Sequence, residues 1–104
     1  MTEFVKVARV SDVPAGGAKL VEANGQKIAL FNVDGQLHAI GDSCTHKGGP
    51  LSDGFIEGTQ VQCPWHGAKF DIKSGQNLTP PAASPVPSYP VEVRDGDVYV
   101  QLPS

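Results

Sequence analysis

Three two-residue steps, Asn24-Gly25, Asp34-Gly35 and Asp95-Gly96, constrain the fold of this chain more than any other feature. Each pairs a residue that tolerates positive φ with a glycine, which is the chemistry of a two-residue hairpin turn. The first lies between Leu20–Ala23 and Gln26–Phe31, the second between that run and Gln36–Ile40, and the third between Val91–Arg94 and Asp97–Leu102. In the last pair Val91, Val93, Val98, Val100 and Leu102 fall on one parity, and Glu92, Arg94, Tyr99 and Gln101 on the other. That period of two is expected of a half-buried strand. No window shows a comparable 3.6-residue stripe, although a short helical turn is expected after Ser11-Asp12, where Ser-Asp-Val-Pro offers a cap and a first-turn proline. The fold class is therefore all-β, built of antiparallel sheets.

The 104 residues suit one domain with a modest core. A net charge of −3, with both signs scattered, excludes the basic patch that nucleic acid or an anionic membrane surface would require. No apolar run approaches the roughly 18 residues of a bilayer span, and MTEFVKVARV lacks the apolar core of a secretory signal. A cytoplasmic protein is expected, in which Cys44 and Cys63 stay reduced and are better used for metal than for a disulfide. Residues 41 to 90 read as loop-rich, and Pro80, Pro81, Pro85, Pro87 and Pro90 crowd its end as a stiffened, ordered segment.

Both cysteines and two of the three histidines fall in the span CTHKGGPLSDGFIEGTQVQCPWHGAKF, as Cys44-x-His46, sixteen residues, then Cys63-x-x-His66. Two thiolates and two imidazoles suit zinc or an iron-sulfur cluster. Mixed zinc sites usually group like ligands on one knuckle, whereas here each knuckle holds one of each kind. That arrangement fits a two-iron cluster with Cys44 and Cys63 on one iron and His46 and His66 on the other, the Rieske type of centre. His38, outside both pairs, reads as structural.

With CTHKGG and CPWHGAKFD in these places, the chain resembles a Rieske-type 2Fe-2S ferredoxin. The likeness continues through the preceding hairpins, the Thr79–Ala82 loop and the closing VEVRDGDVYVQL. The resemblance implies a single Rieske domain over 1–104, its scaffold about 1–40 and 82–104 and its cluster-binding insertion about 41–81. It also implies a one-electron carrier, not itself an enzyme, that passes electrons from a flavin-dependent ferredoxin reductase to a terminal ring-hydroxylating oxygenase. Both contacts should be transient and the protein a monomer. A chain that begins at Met1 and closes on a hairpin is expected to stand alone rather than as part of an oxygenase large subunit. Two rivals stay open: the small subunit of an assimilatory nitrite reductase, and a zinc-stabilised binding module holding the same four ligands.

Histidine ligands have a physical consequence. Two ferric ions, two sulfides and two thiolates sum to zero charge with neutral imidazoles, against minus two with four thiolates, so an electron is more easily added. Rieske centres accordingly span about −150 to +300 mV, against about −400 mV for plant-type clusters. Rieske proteins of respiratory complexes, which this motif resembles, carry a loop-locking disulfide where Gly49 and Trp65 stand. They also carry serine and tyrosine hydroxyls where this chain has Ala68 and Phe70. Hydrogen bonds to charged acceptors are worth roughly 1.5–3 kcal/mol and 1.4 kcal/mol corresponds to about 59 mV, so losing both hydroxyls lowers the potential by something on the order of 100 mV. A position low in the Rieske range is expected. Gly48 and Gly49 are expected to let backbone N–H groups approach the sulfides, Trp65 to shield the cluster or dock a partner, and Pro80-Pro81 to cover the ligand loops.

Overall fold

The computed structural model describes residues 3–23, 25–42, 50–64, 67–78 and 85–102. Their strands are β1 (Glu3–Arg9), β2 (Ala18–Ala23), β3 (Gln26–Val33), β4 (Gln36–Gly41), β5 (Phe55–Glu57), β6 (Gln60–Gln62), β7 (Lys69–Asp71), β8 (Ser88–Tyr89), β9 (Val91–Arg94) and β10 (Asp97–Leu102). They form three antiparallel sheets, ordered β1-β10-β9, β2-β3-β4-β8 and β5-β6-β7.

The hairpin steps act as their chemistry requires. Asp34 and Gly35 have φ of 52° and 88°, and Asp95 and Gly96 of 50° and 81°. Positive φ at both central residues twists a two-residue turn in the same sense as its flanking strands. Gly25 has φ of 80°, while Asn24 lies outside the described residues.

The second sheet is the partition of the molecule. Its register pairs Ala29 with Ile40 and Leu30 with Ala39, and successive residues of a strand point to opposite faces. Ala29, Phe31 and Ile40 therefore join one buried cluster, with Leu51, Val61, Cys63, Ala68, Phe70, Ile72 and Val86. Ile28, Leu30 and Ala39 join another, with Ala8, Val13, Val21, Ala23, Val98, Val100 and Leu102. The first core lies under the small β5-β6-β7 sheet, and the second under β1 and β10.

Two readings of the sequence change, and a third gains detail. Val93 shares a face with Val98, its register partner, yet is 51% exposed. It sits at the turn end of β9, which among the described residues has no strand paired on its outer side, beyond the reach of the core. The helical turn is a 3-10 turn at Val10–Asp12, before Val13-Pro14 rather than after Ser11-Asp12. Asp12 acts backwards there, its Oδ2 accepting the Arg9 N–H at 3.1 Å. The span 41–90, read as loop-rich, holds β5, β6, β7 and β8, none longer than three residues.

The proline-rich stretch is described from Pro85 onward. The Pro87 carbonyl accepts the Gly41 N–H at 2.8 Å and the Pro90 carbonyl accepts the Gln101 N–H at 2.9 Å. Proline lacks a donor but keeps its acceptor, so it serves at a sheet margin where only the carbonyl is used. Among the described residues no helix is long and apolar enough to cross a membrane.

Candidate metal centre

Of the four expected ligands, Cys63 lies within the described residues, while Cys44, His46 and His66 lie outside them, as do Lys47, Gly48, Gly49, Trp65, Pro80 and Pro81. The described residues do fix the ground on which both ligand segments stand.

Cys63 follows β6 directly and is a free thiol, 1% exposed. Its N–H donates to the Ala68 carbonyl at 2.7 Å, and its carbonyl accepts the Gly67 N–H at 3.1 Å. Gly67 has φ of 77°, a left-handed conformation that a residue with a Cβ adopts only at a cost. A six-residue knuckle closed at both ends results, with Ala68 and Phe70 returning fully buried into the core that holds Cys63.

The other segment leaves from Asp42 and returns at Leu51. The Leu51 N–H donates to the Asp42 carbonyl at 2.7 Å, and the Ser52 N–H to Asp42 Oδ1 at 2.8 Å. The chain then makes a 3-10 turn at Leu51–Asp53 and enters β5 through Gly54. A Cβ on Gly54 would lie 2.4 Å from the Gln62 carbonyl and 3.0 Å from that of Leu51. Gly54 has φ of −78°, so this glycine is required for space and not for a turn, contrary to what Asp53-Gly54 suggests in the sequence. Through that seam, the return of the first segment lies against the residue preceding Cys63.

The described bases of the two expected ligand segments thus lie beside one another, each joined by backbone hydrogen bonds. Asp42 and Gly54 were not singled out from sequence. An aspartate two residues before a cysteine carries no signal of its own, and Asp-Gly reads by default as a turn.

His38 stands apart. It pairs with Phe31 on the face of β4 toward the first core, and its Nε2 is buried with no hydrogen-bond partner among the described residues. Burial lowers its pKa, the Lys73 ammonium lowers it further, and Asp71 opposes both.

A free thiol buried among apolar side chains, in a loop closed by main-chain bonds, suits a soft metal bound through thiolate. A family model for the Rieske [2Fe-2S] domain matches residues 3–90. The ferredoxin subunit of the 3-phenylpropionate/cinnamic acid dioxygenase of Escherichia coli strain K12 is 43% identical over 95 residues, covering 90% of this chain and 89% of that protein. The ferredoxin of Sphingomonas yanoikuyae B1 superposes with a TM-score of 0.90 at 33% identity, over 97% of this chain and 100% of the other. A chain in the complex of reduced oxygenase and oxidized ferredoxin of carbazole 1,9a-dioxygenase superposes with a TM-score of 0.86 at 35% identity, over 93% and 91%.

Proposed function

Because the chain belongs to the Rieske [2Fe-2S] domain family, we propose that it is the ferredoxin of a ring-hydroxylating oxygenase system, a one-electron carrier between a flavin-dependent reductase and a terminal oxygenase. The observation that carries this is 43% identity, spread over nine-tenths of both chains, to a ferredoxin subunit of an aromatic dioxygenase. The oxygenase as acceptor is supported by the carbazole 1,9a-dioxygenase complex, whose matching chain is 35% identical.

In this reading Cys44 and Cys63 hold one iron and His46 and His66 the other, with residues 41–81 as the cluster-binding part of one domain. When bound, the cluster takes up and releases one electron at a time. The protein's contribution is placement. The bonds at Cys63 and the Asp42–Leu51 closure set the bases of the two segments side by side, which supports this reading, and the buried Ala68 and Phe70 carry no hydroxyl to donate. The protein works in the cytoplasm as a monomer, and its contacts with both partners are brief, as electron-transfer encounters generally are.

A redox titration followed by electron paramagnetic resonance, with iron, sulfide and zinc analysis, tests the assignment. A rhombic Rieske signal developing near or below about −100 mV is expected. A silent, zinc-loaded protein would mean a structural metal and overturn it.

A further inference from the structure

The Leu51–Asp53 turn begins with an unusual cap. Pro50 occupies its N-cap position and has no acceptor side chain, although the first N–H groups of any helical turn lack intrahelical partners. The acceptors arrive from Asp42, well back along the chain. The Asp42 carbonyl takes the Leu51 N–H at 2.7 Å and Asp42 Oδ1 takes the Ser52 N–H at 2.8 Å, while the Asp42 N–H donates to the Lys27 carbonyl at 3.1 Å. One residue, 3% exposed, thereby ties the exit of β4, the beginning of β3 and the turn that leads to Gly54.

Any amino acid offers a carbonyl to Leu51. Only a side chain with an acceptor in reach takes the next N–H as well, a role that aspartate and asparagine fill readily. That side-chain bond adds to the main-chain one. Without it, the return of the segment at Leu51 is held by main chain alone, and the Gly54–Gln62 seam that sets it against Cys63 begins from a looser turn.

We propose that Asp42 is a positioning residue for the metal centre. Its carboxylate fixes where the segment bearing Cys44 and His46 re-enters the fold, and hence where that ligand pair stands relative to Cys63. The inference rests on the ligand assignment made above and adds to it a group that binds no metal.

Three variants of the iron-loaded protein test it: Asp42→Ala, Asp42→Asn and Val100→Ala, the last a cavity in the opposite core. Iron release to a chelator and the paramagnetic resonance line shape of the reduced protein are measured beside thermal stability. Loss of a group that bonds a ligand directly commonly costs about 10–100-fold in metal affinity; Asp42 stands one step further out, so Asp42→Ala should release iron faster by up to about tenfold and show an altered line shape. Asp42→Asn keeps the Oδ1 acceptor and should stay within about twofold of wild type. Val100→Ala should lower stability and leave the line shape and release rate alone.

An Asp42→Ala protein indistinguishable from wild type overturns the proposal, as does Val100→Ala producing the same changes at the same loss of stability. Should Asp42→Ala fail to fold, amide exchange in the wild type decides. A Ser52 N–H protected like those of β3 supports the cap, and one exchanging as an open loop does overturns it. A wild type that binds no iron defeats the ligand assignment itself, whereas normal iron binding beside an unaffected Asp42→Ala defeats this proposal alone.

Discussion

Substituting alanine at Gly75 should be far more damaging than at Gly96, although the two share nearly the same backbone conformation, with φ of 78° and 81°. The left-handed conformation costs a residue with a Cβ about 1–2 kcal/mol, partly offset by the smaller entropy of the unfolded chain. That shared cost is the whole expectation for Gly96, whose Cβ would meet nothing within 4 Å. At Gly75 the Cβ would lie 2.2 Å from the Val86 carbonyl oxygen and 3.1 Å from its carbon. Both are backbone atoms and cannot swing aside. Relief requires the Pro85–Pro87 segment to retreat, straining the Val86 N–H bond to the Gly75 carbonyl at 2.9 Å and lifting Val86 from the first core. Overpacking costs about 1–3 kcal/mol and the hydrogen bond about 0.5–1.5 kcal/mol. The totals are about 3–5 kcal/mol for Gly75→Ala against about 1 kcal/mol for Gly96→Ala. One kcal/mol moves the midpoint of a domain this size by about 4–8 °C, so in thermal scans at a single rate the variants should separate by at least about 8 °C. Melting within about 3 °C of each other would show that the Val86 segment yields freely, and the steric argument would fail.

The remaining expectations concern the metal site, the unpaired histidine and the exposed valine. Ala68→Ser and Phe70→Tyr place hydroxyls in the buried base of the Cys63 knuckle and should each raise the midpoint potential by tens of millivolts, up to about 60 mV. Unchanged potentials in folded variants would remove the reason for placing this centre low in its range. His38 binds a proton more weakly folded than unfolded, so its contribution to stability is complete above its ordinary value of 6.5 and is lost as pH falls through the folded value. Thermal midpoints of wild type should therefore decline below that pH more steeply than those of His38→Gln, and parallel curves would contradict it. Val93→Thr should change stability by no more than about 0.5 kcal/mol, whereas Val98→Ala, on the same face but fully buried, should cost about 1.5–3 kcal/mol in chemical denaturation.

The hairpins were readable because each announces itself twice, by alternation in its strands and by an X-Gly step in its turn. The strands of the small sheet were not, since three residues are too few to display a period, and Phe55–Glu57 holds its place through Gln62, Val61 and Gln60 instead of through any pattern of its own. Val93 shows the opposite failure: its parity is right, but parity reports only a face and says nothing of whether that face is covered. The loop that opens at Cys63 was marked in the sequence by its place in the paired Cys-x-His and Cys-x-x-His spacing. What holds the knuckle beside its counterpart was hidden, because the Gly54 seam and the Asp42 cap are relations between residues eight and ten apart, and no local rule marks them. The aspartate at position 12 misled for a related reason: an N-terminal cap and a backward cap use the same residue.

The double-sided β3-β4 wall means that the chain keeps its functional and its supporting residues on opposite faces of the same strands. A substitution at Ala29 or Ile40 is felt by the core that holds Cys63 and one at Leu30 or Ala39 by the core beneath β1 and β10, although these positions are immediate neighbours. Substitutions on the two faces therefore act on different cores. A lineage could abandon the ligands and repack everything on one side while inheriting the other side unchanged, so the scaffold can outlive the electron carrier built upon it.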